Sequence, residues 1–169
     1  MVPTLSRVAV LWNPPLPAHA PSLKALERIA RAVGIQVQPV AVHSPDDFEG
    51  AFAAMHAGQA EALIIFGSAL HFMHVRRIAT LALTSRLPAI ARERQFAESG
   101  LLMAYGQSQR DISLRAAAYV DKILKGAKPA DLPVEQPMRF EFVLNRKTAQ
   151  TLGLTLPPHL LYFADEVLQ

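Results

Sequence analysis

The sequence predicts an α/β protein built on a doubly wound, mostly parallel β-sheet with helices on both faces. Residues 7–12 form a short, continuous apolar run that stops at Asn13-Pro14, which is typical of a strand buried on both faces. Helical and extended patterns then alternate as far as residue 104, and prolines and glycines separate them. Such alternation is characteristic of parallel sheets whose crossovers are helices.

Periodicity and end signals predict five strands and four helices in the first part of the chain. The strands cover residues 7–12, 35–42, 62–66, 87–90 and 101–104. The helices cover residues 21–33, 44–57 (with Ser44 as N-cap), 70–84 and 92–99. Right-handed crossovers favour the strand order 2-1-3-4-5.

The second part of the chain has a different pattern. It predicts a helix over residues 108–125, a linker over 128–137, a strand over 140–144, a short helix from Asn145 to 152 and final helical turns over 160–167. We therefore divide the chain into an α/β ligand-binding lobe, residues 1–106, and a carboxyl-terminal part, residues 107–169. The second part either completes the fold or is exchanged with a partner subunit.

Composition excludes several classes of function. The chain has 169 residues, 51% of them apolar, and a net charge of only +3 with scattered basic residues, which gives no support for nucleic-acid binding. It has no cysteine, so thiolate metal sites and cysteine nucleophiles are excluded. The amino terminus carries no export signal and no apolar run is long enough to span a bilayer, so the chain as written is expected to be cytoplasmic.

Candidate ligand-binding residues follow the predicted strands, because open parallel sheets bind ligands outside the carboxyl ends of their strands. These candidates are Asn13, Ser68, Arg92, Tyr105 and Gly106. They offer hydrogen bonds, a positive charge and an aromatic ring, which suit the binding of a small molecule rather than catalysis. Three of them have a structural alternative: Asn13 as a turn residue, Ser68 as a helix N-cap and Tyr105 as a packing residue.

Motifs for catalysis or cofactor binding are not found. The loop after the first strand lacks the glycines of a dinucleotide-binding fingerprint, and no Walker A pattern occurs. His71 and His74 are three residues apart without a nearby acidic ligand, which is a weak metal signal. Residues 92–94 (Arg-Glu-Arg) are interpreted as a solvated surface, with Arg92 as the exception. We expect no enzyme activity, no cofactor and no metal.

Two stretches resemble one protein family. RVAVLWNPPLPAHAPSLKALERIARAVGIQVQPVAVHSPDDFEGAF resembles the start of the carboxyl-terminal lobe of ABC-transporter substrate-binding proteins. RAAAYVDKILKGAKPADLPVEQPMRFEFVLNRKTAQTLGLTLPPHLL is similar to that family's ending. The resemblance implies a three-layer, periplasmic-binding-protein-like lobe, and it covers only about the second half of a usual member.

The resemblance implies a small, often amino-acid-like ligand held between two lobes, periplasmic location after export, and delivery of the ligand to an ABC permease. Asn13-Pro14 and Tyr105-Gly106 match the family pattern. The chain departs from it after the third strand, where many members have Asp-Pro in place of Ser68-Ala69, and after the fourth, where they have an aromatic residue and a glycine in place of Ala91-Arg92.

These observations lead to a principal hypothesis and an alternative. In the first, the chain is a solute-binding component of an ABC transporter, or a single lobe of one. In the alternative, it is a cytoplasmic dimerisation or regulatory module derived from such a lobe. The apolar stripe from Ile112 to Leu124 would lack its usual partner in a single lobe, so we expect a homodimer.

Overall fold

A seven-stranded β-sheet forms the centre of the computed structural model, which describes residues 5–136 and 139–169. The strands are Arg7–Trp12 (β1), Gln36–Ala41 (β2), Ala62–Ile65 (β3), Ala89–Ala91 (β4), Met103–Gln107 (β5), Phe140–Asn145 (β6) and Glu166–Leu168 (β7). Their order across the sheet is β2-β1-β3-β4-β5-β6-β7, so the predicted order of the first five strands is confirmed. Those five are parallel to their neighbours within this group.

Helices connect the strands and cover the sheet. The described residues contain the α-helices His19–Ala32 (α1), Asp47–Ala57 (α2), Ala69–Met73 (α3), Val75–Thr84 (α4), Arg94–Glu98 (α5), Gln109–Leu124 (α6), Arg146–Thr151 (α7) and Pro158–Phe163 (α8). A single 3₁₀ turn, Pro129–Asp131, follows α6. None of the described helices has the length and apolar character needed to cross a bilayer.

Strand β1 lies inside the sheet and is buried on both faces, as its apolar run predicts. Ala9 and Leu11 belong to the main core, which also contains buried residues of α2, α4 and α5. Val8 and Val10 are also buried, and they face the opposite side because successive strand residues alternate. Helix α1, with Leu23 and Ala30 buried, supplies cover on that second side.

The end of the chain extends the same sheet. Strand β6 pairs with β5 in antiparallel register, with Tyr105 opposite Phe142, and β7 pairs with β6 in parallel register. Strands from both of the predicted parts, residues 1–106 and 107–169, therefore share one sheet; the boundary between the parts stays a prediction. The first four residues and Pro137, the last residue of the predicted linker, lie outside the described residues.

Two predicted helices are wrong in extent. The helix predicted over residues 70–84 is divided into α3 and α4 at His74, whose φ of −115° and ψ of 21° are not helical. The final helical segment ends at Phe163, and β7 follows it. Strand β7 has three residues, too few for a periodic pattern, and it forms because β6 offers a free edge for pairing.

The predicted N-cap of α2 is also wrong. No side chain caps this helix, and Ser44 acts as a backbone donor instead. The Asp47 carboxylate accepts hydrogen bonds from the backbone N–H groups of His43 and Ser44, at 2.7 and 2.9 Å. A carboxylate in the first turn of a helix reaches back in this way when it satisfies the preceding backbone, and these hydrogen bonds hold the pKa of Asp47 below its usual range.

Helix α6 differs from the other long helices because none of its residues is buried. We call residues 109–136, which comprise α6 and the segment that follows it, the α6 arm. Within the arm, the guanidinium of Arg115 pairs with Glu135 at 2.8 Å, and the Tyr119 hydroxyl donates a hydrogen bond to the carbonyl of Pro133. The arm therefore folds on itself rather than on the sheet.

Candidate functional site

The carboxyl edge of the sheet, where β1, β3, β4 and β5 end, is held together by side chains from the connecting loops. His19, in the first turn of α1, joins the ends of β1 and β3. Its Nδ1 accepts a hydrogen bond from the backbone N–H of Asn13 at 3.0 Å, and its Nε2 lies 3.1 Å from the carbonyl oxygen of Gly67. A neutral imidazole protonated at Nε2 satisfies both contacts.

The residues that follow β3 are also held by hydrogen bonds to His71 of α3. The Ser68 hydroxyl accepts a hydrogen bond from the backbone N–H of His71, so Ser68 is the N-cap of α3. The His71 Nδ1–H donates to the carbonyl oxygen of Phe66 at 2.6 Å. His71 is completely buried, and burial lowers the pKa of its imidazole.

These contacts decide what Ser68 and His71 can do chemically. The hydroxyl of Ser68 contacts the backbone of His71, while the imidazole of His71 bonds to Phe66. A serine nucleophile needs a base within hydrogen-bond reach of its hydroxyl, and the His71 ring does not fill that role here. Ser68 therefore has the structural role that the sequence offered as the alternative to ligand binding: it is the N-cap of α3.

The residues after β4 cross close to β5 at Gly106. A Cβ atom on Gly106 would lie 2.2 Å from the carbonyl oxygen of Arg92, so only glycine allows this approach. Gly106 is buried and the Arg92 side chain is exposed. The structure thus brings Arg92 and Gly106 together, and the contribution of Gly106 is its lack of a side chain.

A cavity of about 550 Å³ opens at this position. It lies between the ends of β4 and β5, the start of α6 and the start of β6. Its lining includes two of the predicted site residues, Arg92 and Gly106, and three further arginines, Arg94, Arg110 and Arg139. Among the described residues, Arg92, Arg110 and Arg139 form no ion pair, whereas Asp111 in the same lining is paired with Arg115.

Arg94 also lines the cavity, but its guanidinium forms ion pairs with three carboxylates of the protein. Its guanidinium pairs with Glu98 at 2.6 Å, Glu141 at 2.8 Å and Glu166 at 2.7 Å. These carboxylates, Glu166 foremost, raise the pKa of Arg94. Arg94 therefore ties α5 to β6 and β7, and the interpretation of residue 94 as part of a solvated surface is wrong because three carboxylates surround it.

The other predicted site residues do not line the cavity. Asn13 and Ser68 are buried and lie near each other, on either side of the His19 bridge. Tyr105 is 53% exposed, and its ring stacks on Phe140 at 5.7 Å and meets Phe142 edge-on at 6.0 Å. Four of the five residues therefore form two pairs on the edge, Asn13 with Ser68 and Arg92 with Gly106. Tyr105 belongs to neither pair and lies in an aromatic cluster with Phe140 and Phe142.

Sequence reasoning missed two residues of the edge. His19 lay inside a stretch interpreted as a proline-rich loop, but α1 begins there and places the ring between two strand ends. Glu93 was assigned to a solvated surface, yet it is half-buried and its carboxylate lies against Gly67. Its position directly after β4, beside Arg92, was the available signal. No group of three metal-binding side chains is found among the described residues.

Comparison with known proteins gives a consistent result. The family model described as ABC transporter substrate binding protein matches residues 1–168. No curated protein matches the chain. Among solved structures, a conserved domain protein from Vibrio cholerae O1 biovar El Tor is similar, with a TM-score of 0.84 and 24% identity over 98% of this chain and 56% of that one.

Two further solved structures share the fold. One is the ABC domain in complex with L-Trp from Streptococcus pneumonia, with a TM-score of 0.82 and 24% identity over 99% of this chain and 57% of that one. The other is the ligand-free, open structure of a substrate-binding protein with adhesive properties from Clostridium difficile. Its TM-score is 0.75, with 19% identity over 99% of this chain and 56% of that one. This chain thus spans little more than half the length of these proteins.

Proposed function

Because the chain belongs to the family of ABC transporter substrate-binding proteins, we propose that it binds a small, amino-acid-like solute at the carboxyl edge of its sheet. Binding leaves the solute chemically unchanged, and the solute passes to an ABC permease. The chain acts as one lobe of the binding unit, which fits its coverage of 56–57% of similar solved structures.

The observation that carries this proposal is the cavity beside Arg92 and Gly106. Its volume of about 550 Å³ suits a small molecule. Arg92, Arg110 and Arg139 bring positive charge to it and form no ion pair among the described residues. The three carboxylates of the lining are engaged elsewhere: Asp111 pairs with Arg115, Glu141 pairs with Arg94, and Asp165 accepts a hydrogen bond from the backbone N–H of Phe142. Guanidinium groups bind carboxylates through paired, charge-assisted hydrogen bonds, so the cavity favours a ligand with a carboxylate group. A structural neighbour in complex with L-Trp supports an amino acid as that ligand.

Titration calorimetry with a panel of amino acids and aromatic acids tests the proposal. We expect L-tryptophan or another panel member to bind the wild-type chain. The variants Arg92→Met and Arg110→Met, both in the lining of the cavity, are expected to weaken that binding by about tenfold or more, equivalent to about 1.4 kcal/mol. Arg28→Met, on an exposed part of α1, is the matched control and is expected to leave the affinity unchanged.

The proposal fails if no panel member produces heat with chain that circular dichroism shows to be folded. Such a result would favour the alternative function, in which the chain is a dimerisation or regulatory module and does not bind a solute. A hydrolytic or transfer activity that disappears in Ser68→Ala would contradict the non-catalytic part of the proposal, because Ser68 would then be more than a helix cap.

A homodimer is the second part of the proposal, and it is supported by the α6 arm. The exposed fractions of Val120, Ile123 and Leu124 are 55%, 40% and 81%. A shallow groove of about 400 Å³ runs between α6 and residues 129–135, and its lining is mostly apolar. Exposed apolar surface of this kind usually marks an interface, and we propose that a second copy covers it in solution.

A further inference from the structure

Glu93 is a half-buried carboxylate on the carboxyl edge that lies outside the lining of the arginine-lined cavity. It follows β4 directly and precedes α5. Its Oε2 is buried and has no hydrogen-bond partner in the described part of the chain. The side chain as a whole is half-buried, so a ligand on the edge can reach it.

The carboxylate of Glu93 lies directly against the end of β3. A Cβ atom on Gly67 would be 2.6 Å from Oε1 and 3.0 Å from Oε2 of Glu93. Glycine at position 67 therefore leaves the space that the carboxylate occupies. Since the Gly67 carbonyl is also bonded to His19, Glu93 sits between the end of β4 and the group formed by Asn13, His19 and Ser68.

No basic residue in the described part of the chain forms an ion pair with Glu93. Arg92 precedes it in the chain and lowers its pKa, but forms no ion pair with it, and Arg94 is engaged by three other carboxylates. Burial is the larger influence and raises the pKa of the Glu93 carboxyl. A buried, unpaired acceptor costs folding free energy, so a carboxylate kept in this state is more consistent with a ligand than with the stability of the fold.

We propose that Glu93 binds a cationic group of the solute, such as the ammonium group of an amino acid, and thereby determines which solutes are accepted. This inference rests on the proposed function, which it extends. The arginine-lined cavity takes the carboxylate of the solute, and Glu93 takes the ammonium group beside it. Neutral or purely anionic molecules of the same shape lack the partner that Glu93 needs and bind less tightly.

Three matched compounds test the inference by calorimetry: L-tryptophan, tryptamine, which lacks the carboxylate, and indolepropanoate, which lacks the amino group. For the Glu93→Gln variant we expect the affinities for L-tryptophan and tryptamine to fall by tenfold or more, while the affinity for indolepropanoate stays unchanged. Glu27→Gln is the control, because Glu27 lies on α1 near the start of β2, away from the carboxyl edge.

Each alternative result has a defined meaning. If indolepropanoate binds the wild-type chain but the amino group adds no affinity, the inference about Glu93 is overturned while the proposed function stands. The same holds if Glu93→Gln binds tryptamine as tightly as the wild type. If none of the compounds binds the folded chain, and no other amino acid does, the proposed function and the inference fail together.

Thermal unfolding gives a readout that does not depend on a ligand. Because a half-buried carboxylate without a partner opposes folding, we expect the melting temperature of Glu93→Gln to be higher than that of the wild type at pH 8, and the two to be nearly equal at pH 4, where the carboxyl is protonated. A lower melting temperature of the variant at pH 8 would show that Glu93 holds the fold together, and it would overturn the inference.

Discussion

Helices α4 and α6 have similar apolar spacing but opposite environments. In α4, Val75, Ile78, Ala79 and Ala82 are buried against the sheet, and Ile78 is completely enclosed. In α6 no residue is buried, and Leu124 at its end is 81% exposed. Apolar residues at helical spacing therefore show that a helix has a face to bury, but they do not show where the partner of that face lies.

The difference has a physical origin in how each helix is connected. Helix α4 joins two adjacent parallel strands, β3 and β4, so a right-handed crossover lays it back on the sheet. Helix α6 joins β5 to the antiparallel β6 through the long segment after residue 124, and that connection does not require the helix to lie on the sheet. Contacts inside the α6 arm replace contacts with the core.

The largest expected effect is on the free energy of unfolding, when an apolar side chain of α4 is shortened and compared with the same change in α6. Ile78→Ala is expected to lower the free energy of unfolding by about 2–5 kcal/mol, because it leaves a cavity in the core. Val120→Ala in α6 is expected to change it by less than about 0.5 kcal/mol in monomeric chain. Urea unfolding followed by the fluorescence of Trp12, at a concentration where the chain is monomeric, measures both values. Equal losses would mean that α6 is part of the folded core.

A second experiment asks whether another chain covers α6. We expect the wild-type chain to be dimeric at micromolar concentration in light scattering, and the double variant Val120→Lys with Leu124→Lys to dissociate at least tenfold more readily, a loss of about 1.4 kcal/mol or more. Arg76→Glu, on the exposed side of α4, serves as a control for the general effect of changing charge. A wild-type chain that is strictly monomeric would contradict the proposed homodimer.

The smallest expected effect is on the pH dependence of stability, and it comes from His71, which is buried beside α4. The pKa of His71, one turn before α4, is lowered by burial, so the unfolded chain takes up a proton near pH 6.5 that the folded chain does not. Stability should therefore fall as the pH decreases from 7.5 to 5.5, by at most about 1.4 kcal/mol over this range, since only one proton is taken up.

Two histidine variants separate this contribution from the rest. His71→Gln is expected to flatten the dependence of stability on pH, whereas His56→Gln, at the exposed end of α2, is expected to leave it unchanged. Urea unfolding at several pH values measures the slope. An unchanged slope in His71→Gln would show that the buried imidazole takes up its proton without unfolding.

The fold prediction is confirmed, whereas the role of the predicted site residues in ligand binding stays a prediction. Sequence patterns indicated the carboxyl edge and placed Arg92 and Gly106 there, and the structure brings these two residues to one cavity. His19 and Glu93 were missed because their importance depends on which backbone each side chain meets across the sheet. Such contacts join residues far apart in the chain, and no local pattern records them.

What the sequence determined by itself is local: buried strands appear as continuous apolar runs, helices as periodic ones, and glycines mark where a helix ends, as at Gly34 with its φ of 76°. These features, repeated five times, were enough for the α/β fold and the strand order. The tertiary structure alone decided that β7 completes the sheet, that Ser68 caps a helix, and that Oε2 of Glu93, beside Gly67, has no hydrogen-bond partner among the described residues. Each of these depends on the free edge, the backbone donor or the empty space that another part of the chain supplies.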